Sequence, residues 1–307
     1  MSIETVICTA SNKSFSSLLV QLLQSIRTKP RGGEVAIGVL DLGLPADKRA
    51  EIDKFADHIV EPVWDFSFPL IVDGVPRTAD EKFLANNRGY MAMTARPFLN
   101  DHFPGYKTYI WIDADCWLQD WTTMEWLIDG AADGSLCIVP EMDRSYVHTY
   151  DHGAMNRWFN KNIQAFFGKE TARQMWNFPL LNSGVFALLG NSPLWTKWRA
   201  ALSEGLHKAT DFYAEQFGLN KVVYGENFPR KILPATCNWL VNRGQPLYDA
   251  ENGLFVEPNP PYRPLGIVHL SGDSKSKVHS LRALRSNRIL QTHLRYDPKR
   301  YDLKVKG

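Results

Sequence analysis

The stretch "YIWIDADCWLQD", residues 109–120, sets two carboxylates, Asp113 and Asp115, one residue apart beyond a run that reads as a buried strand. In an extended segment such a pair lies on one side of the chain. Like charges this close repel unless something positive sits between them. Hard oxygen donors favour Mg2+ or Mn2+. The competing reading is structural: Asp115 caps a following helix and Asp113 pairs with a Lys or Arg. Other polar groups stand at expected strand ends. Thr9, Ala10, Ser11 and Asn12 lie at the end of "TVICTA", and His269 lies within "RPLGIVHLSG", followed by Gly272 and Lys275.

The elements that must position these groups alternate in type. "TVICTA" (5–10) and "EVAIGVLDLG" (34–43) read as strands. "SFSSLLVQLLQSI" (14–26) and "LPADKRAEIDKFAD" (44–57) read as helices, and "ADEKFLANNRGYMAMTARPFLNDH" (79–102) carries one or two more. Later, "MNRWFNKNIQAFFGKE" (155–170) has a helical apolar stripe and "GVFALLG" (184–190) is a strand. "SPLWTKWRAALSEGL" (192–206) offers Ser192 as N-cap with Pro193 at the first helical position. This alternation predicts an α/β fold with a mainly parallel sheet and helices on both faces. Ligands in such sheets bind at the carboxyl ends of the strands. Asp113, Asp115 and the Thr9–Asn12 segment therefore point at one crevice.

Composition narrows the function classes. A chain of 307 residues, 44% hydrophobic and 22% charged, fits one large domain or two modest ones. No internal repeat or Gly/Ser-rich linker divides it, so it reads as one domain, residues 1–277, with a tail, 278–307. A net charge of +2 gives no electrostatic case for a nucleic-acid partner. The four cysteines are widely spaced and lack a C-x-x-C pair, as expected of reduced thiols in a cytosolic protein. The start, "MSIETVICTA", reads as a first strand rather than a signal peptide. The uncharged stretch 178–196 is broken by Asn, Ser, Gly and Pro and cannot span a bilayer. The expected location is cytoplasmic. Residues 275–307 carry ten Lys/Arg against two Asp. They read either as a solvated terminal helix or a strap lying across the body, or as a basic surface docking on anionic lipid headgroups at the inner face of the membrane.

Six motifs in order carry a resemblance: "TARPFL" with Arg96, the D-x-D, "LLNSGVFALL" (180–189), "EQFGLNKVVYG" (215–225), "KILPATCNW" (231–239) and "VHLSGDSK" (268–275). Together they resemble the GT-A glycosyltransferases of the family-8 type, over about residues 5–277. The resemblance implies a Rossmann-like mixed sheet and retaining transfer of a sugar from a UDP-sugar to a glycan or glycolipid acceptor. It also implies a Mn2+ or Mg2+ ion held by Asp113, Asp115 and His269. Lys275 matches the phosphate-binding lysine, beside Gly272. Thr9, Ala10, Ser11 and Asn12 match the nucleoside-binding strand end. Arg96 matches the residue reaching donor sugar and phosphates, and Asn182, Ser183 and Gly184 match the border of the donor sugar. Glu215 and Gln216 match the D-Q pair beneath the reacting carbon. Glu215 departs from the usual Asp, and Ser276 and Lys277 replace the usual Pro-Trp after the lysine.

Other classes use similar residues. A haloacid-dehalogenase-type phosphatase also places D-x-D after a strand, but wants Thr or Val where Trp117 stands. A nucleotidyltransferase would need a triphosphate loop that is not evident. A catalytically silent nucleotide-sugar binder is the third alternative. The segment "RSYVHTYDHGAMNRWFN" (144–160) lies where the family builds its acceptor cleft, with His148, Asp151 and His152 beside aromatic residues. Gly153 and the composition there argue for a loop rather than a helix, either sugar-binding or plain surface.

Overall fold

The computed structural model describes residues 3–66, 70–72, 75–77, 88–146, 151–208 and 211–298. Part of the helix expected over 79–102 (through residue 87), His148, and the last residues of the tail lie outside these.

The alternation of the sequence becomes a seven-stranded sheet in the order β10-β8-β9-β6-β1-β2-β3. Its strands are β1 (Thr5–Ser11), β2 (Ala36–Asp41), β3 (His58–Val60), β6 (Thr108–Ile112), β8 (Leu136–Pro140), β9 (Leu181–Leu189) and β10 (Arg230–Ile232). A short hairpin, β4 (Leu70–Val72) with β5 (Val75–Arg77), lies between β3 and β6 in the chain. Pairing is parallel except at β9, which runs antiparallel to both β6 and β8.

Period-two alternation builds the core on both faces. Val6, Cys8, Tyr109, Trp111, Phe186 and Leu188 face one layer; Ile7, Ile110, Ile112, Val185 and Ala187 face the other. The second face is covered by α1 (Ser16–Arg27), α2 (Ala46–Ile52) and α5 (Thr122–Ala131), through Leu19, Leu22, Leu23, Ile52, Met124 and Leu127. The first is covered by α3 (Arg88–Thr94), α4 (Leu99–His102), α7 (Leu194–Leu206) and α8 (Ala214–Gly225), with Trp195 and Trp198 at its centre. Burying each such side chain is worth about 1.5–3 kcal/mol. Two faces filled this way fix which strand ends converge.

A smaller sheet, β11-β14-β7, adjoins the carboxyl end of β6. It comprises β7 (Cys116–Leu118), β11 (Trp239–Leu240) and β14 (Ile267–His269). A hairpin of β12 (Leu247–Asp249) and β13 (Leu254–Val256) flanks it, and Phe255 packs edge-on against Trp117.

Three expectations change. Residues 144–160 are not all loop: α6 (His152–Met175) starts at His152, with Asp151 Oδ1 accepting the Ala154 N–H at 2.9 Å. That cap satisfies a free amide of the first turn and outweighs Gly153. α7 starts at Leu194, one residue later than expected, yet Ser192 Oγ still accepts the Leu194 N–H at 3.2 Å. In the described part of the basic tail the terminal-helix alternative fails and the strap across the body is the one found. It forms a hairpin, β15 (His279–Arg282) with β16 (Ile289–Thr292), then a strap. Leu281, Leu294 and Tyr296 are buried beside Trp117, whose Nε1 donates to Leu294 O at 2.8 Å. Arg282, Arg285, Arg288 and Arg295 stay exposed.

Candidate active site

The D-x-D is the corner between the two sheets. Asp113 follows β6, its N–H donating to Gly184 O at 2.9 Å, and the Cys116 N–H donates back to Asp113 O at 3.0 Å. The turn then enters β7, which pairs antiparallel with β14 so that Cys116 stands opposite His269. A ladder between residues far apart in sequence thus brings the histidine to the carboxylates. His269 Nε2 lies 3.2 Å from Asp115 Oδ1 and 3.9 Å from Asp113 Oδ2.

Each member is oriented by a partner. The His269 Nδ1 group lies 2.9 Å from Asn238 Oδ1, and Asn238 Nδ2 donates to Asn182 Oδ1 at 2.9 Å. With Nδ1 donating there, Nε2 faces the carboxylates. Asp113 Oδ1 accepts from Trp111 Nε1 at 2.8 Å and from Arg96 Nη2 at 2.5 Å, which leaves Oδ2 toward the histidine. Lys275 Nζ reaches Asp115 Oδ2 at 2.7 Å and sits 4.5 Å from the Phe15 ring centre. Burial alone would raise the Asp115 carboxyl, but His269 and Lys275 reverse this and hold it well below the usual carboxylate range. Burial alone would lower His269, but Asp115 and Asp113 outweigh it and raise the imidazole. Two carboxylates concentrated against one imidazole nitrogen fit a divalent cation, with Asp113, Asp115 and His269 as donors. Asp115 and His269 also form a close group with Cys116. Burial pushes that thiol well up.

Arg96 is 3% exposed beneath the site. Besides Asp113, it donates through Nη1 to Glu215 Oε2 at 2.7 Å and Ser183 Oγ at 2.9 Å, and its guanidinium lies 5.0 Å from the Trp111 ring centre. Burial pushes the Glu215 carboxyl up to about 7 against the opposing pull of Arg96.

These groups line a cavity of about 360 Å³. Its lining includes Asp113, Asp115, His269, Lys275 and Gly272, together with Arg96, Asn182, Gln216 and residues 10–12. Thr9, Ser183 and Glu215, expected to touch ligand, are buried and stand outside the lining. Glu215 and Ser183 instead hold Arg96. Gly184 makes the close approach possible: a Cβ there would lie 2.6 Å from Asp113 Oδ2 and 2.9 Å from His269 Cε1. In the β8 ladder the register passes from Phe186 directly to Asn182, a bulge that turns this segment into the cavity.

Several lining residues escaped the sequence reading. Glu141, 3% exposed at the end of β8, accepts from Gln216 Nε2 at 2.8 Å and Asn182 Nδ2 at 3.0 Å, and pairs with Arg243. Gln216 Oε1 accepts from Ser183 Oγ at 3.2 Å, so its amide is held at both ends. A carboxylate directly after a buried strand was the available signal for Glu141. Asn238 lies within the quoted "LPATCNW" and carried no distinctive spacing. Phe212, Tyr213 and Asn242 also line the cavity and gave no sequence signal.

No protein-family model matches the chain, and no curated protein sequence does. Solved structures do. LgtC, a galactosyltransferase solved with donor and acceptor sugar analogues, matches with a TM-score of 0.51 and 16% identity over 88% of each chain. An active-site mutant of LgtC matches equally, over 87% of each chain. The bifunctional glycosyltransferase WbbM matches with a TM-score of 0.51 and 14% identity, over 89% of this chain and 46% of that one. The chain thus shares the GT-A glycosyltransferase fold, a mixed α/β architecture with a mostly parallel central sheet.

Proposed function

We propose that this chain is a metal-dependent, retaining glycosyltransferase that moves a sugar from a UDP-sugar to a glycan or glycolipid acceptor. One observation carries the reading: Asp113, Asp115, His269 and Lys275 meet in one cavity whose lining also includes Arg96 and Gln216. The order of six motifs and the shared fold support it.

A Mn2+ or Mg2+ ion on Asp113, Asp115 and His269 would act as a Lewis acid and template for a diphosphate. Lys275 adds a mobile ammonium beside Gly272, whose positive φ of 62° turns the chain close to the ligand. Arg96 is a fixed cation, locked from behind by Glu215, so its charge needs no reorganisation when the leaving group becomes negative. Leu42, Met93 and Leu240 exclude water along the same cavity. Residues 10–12 of its lining would hold the nucleoside.

Gln216 lies in the lining while the Glu215 carboxylate is buried behind it. An amide is a poor nucleophile, the Glu215 carboxylate has no open path to the cavity, and the Glu141 carboxylate is tied up by Gln216, Asn182 and Arg243. This supports attack from the leaving-group face, with a leaving phosphate oxygen taking the acceptor proton. A glycosyl adduct trapped on Glu215 in the wild-type protein would overturn it. Glu141 and Arg243 are proposed to fix the Gln216 amide and border the acceptor. Contact with anionic membrane through residues 278–307 is part of the same reading. Among the described residues no helix is long and apolar enough to cross a membrane.

The test is Mn2+-dependent hydrolysis or transfer across UDP-, GDP- and CMP-sugars. Slow hydrolysis of a UDP-sugar is expected, lost in Asp113→Ala and Asp115→Ala. Absence of both turnover and binding for every nucleotide-sugar would refute the reading.

A further inference from the structure

α6 is two helical arms. Asn160 Nδ2 donates to Ala172 O at 2.7 Å, although residues this far apart on a straight helix would be separated by about 18 Å. The chain doubles back at Gly168 (φ 89°, ψ 169°), a conformation that side-chain-bearing residues rarely adopt. The short arm then lies against the long one. Beside the fold-back is an open groove of about 470 Å³, lined by Arg157, Asn160, Lys161, Gln164 and Ala165 of the long arm and by Trp176 just past the short one.

Phe159, Ile163 and Phe166, the apolar stripe of the long arm, are already buried against Phe217 of α8 and Leu202 of α7. The face left for the groove is polar, with one aromatic, Trp176, 46% exposed. It is also cationic. No Asp or Glu occurs between Asp151 and Glu170, and Arg157 and Lys161 form no ion pair with a carboxylate among the described residues. No residue of this groove lines the Asp113 cavity.

We propose that this groove binds an acidic saccharide. An exposed indole offers a flat apolar face to a sugar ring, with a polar edge. The Asn160 and Gln164 amides can both donate to and accept from hydroxyls. Arg157 and Lys161 supply charge for a carboxylate, sulfate or phosphate on the sugar. An anionic lipid surface fits less well. A helix lying in a bilayer needs an exposed apolar face, and the apolar face of α6 is consumed by the core. The inference stands independently of the proposed enzymatic function.

The test is calorimetric titration of the intact protein with a galacturonate hexamer, with neutral maltohexaose, and with phosphatidylglycerol vesicles. The acidic hexamer binds, more weakly as salt rises, and maltohexaose does not. Its Kd increases at least about tenfold in Trp176→Ala and in the double variant Arg157→Glu, Lys161→Glu. Mn2+ and UDP titrations of these variants match those of wild type. If the double variant fails to fold, Lys161→Gln and Arg157→Gln give the same comparison singly. No hexamer binding, equal binding of maltohexaose, or binding unchanged by all of these substitutions overturns the proposal. Vesicle binding that Trp176→Ala abolishes, without hexamer binding, assigns the groove to lipid and overturns it too.

Discussion

Asn238 Oδ1 lies 2.9 Å from His269 Nδ1, and this contact turns the other imidazole nitrogen toward Asp115 and Asp113. Asn238 is 1% exposed and is itself held by Asn182. Removing such an outer partner typically weakens metal affinity about 10–100-fold. Asn238→Ala should therefore lose Mn2+ affinity in that range, read by calorimetry or electron paramagnetic resonance. His269→Ala should lose more. Unaltered Mn2+ binding in both would remove His269 from the ligand set.

Gly184→Ala tests the same centre without replacing a proposed ligand. The new methyl would lie 2.6 Å from Asp113 Oδ2, 2.7 Å from Asn182 Oδ1 and 2.9 Å from His269 Cε1. Something must shift, and the side chains that shift are those proposed to hold metal. We expect Mn2+ binding and donor hydrolysis to fall about tenfold or more, with destabilisation of about 1–3 kcal/mol from overpacking. Wild-type metal affinity in a folded variant would show that the site relaxes freely.

Lys275 separates metal from diphosphate. Its ammonium reaches Asp115 Oδ2 at 2.7 Å and competes for the carboxylate. Lys275→Met should leave Mn2+ binding equal or tighter while UDP affinity drops about tenfold. A parallel loss of both would mean that Lys275 mainly supports the fold of the site.

Glu215 predicts a pH dependence of stability. Its ordinary pKa of 4.5 is raised by burial to about 7 in the folded chain. The folded state keeps a proton that the unfolded state releases, so this contribution is complete below about 4.5 and is lost as pH rises to about 7. Unfolding free energies from urea titrations across that window should fall with pH, by an amount on the order of a few kcal/mol for this group. Glu215→Gln should flatten that slope, and an unchanged slope would place the titration elsewhere.

The basic strap gives the last prediction. Leu281, Leu294 and Tyr296 are buried with Trp117, each worth about 1.5–3 kcal/mol. Truncation after residue 280 should lower the melting temperature sharply or prevent folding, so it cannot test membrane contact cleanly. Replacing exposed Arg282, Arg285 and Arg288 by Glu keeps the core intact. If the strap docks on anionic lipid, those changes reduce liposome sedimentation at low salt. Equal sedimentation would remove the membrane reading.

Much of this protein was legible in its sequence because much of it is local. Apolar runs and helical spacing located β1, β2, β6, β9, α1, α2, α6 and α7, since one buried face per element dictates the pattern, but left α5 unread. The position of Asp113 and Asp115 at a strand end followed from "YIWI" alone. Sequence could not choose between pairing and metal binding for them. The folded chain shows the pairing: Asp113 gives Oδ1 to Arg96 and Trp111 and turns Oδ2 toward His269.

What only tertiary structure decided depends on register between distant segments. The β7–β14 ladder sets His269 opposite Cys116, and the register jump between β8 and β9 puts Asn182 beside Glu141 and Asn238. Packing of α8 sends Gln216 into the cavity and Glu215 behind it, although the two are adjacent in the chain. The fold-back at Gly168 and the strap over Trp117 likewise rest on long-range contacts. Local periodicity fixes an element and the face it buries, but the meeting of side chains is set by how those faces pack.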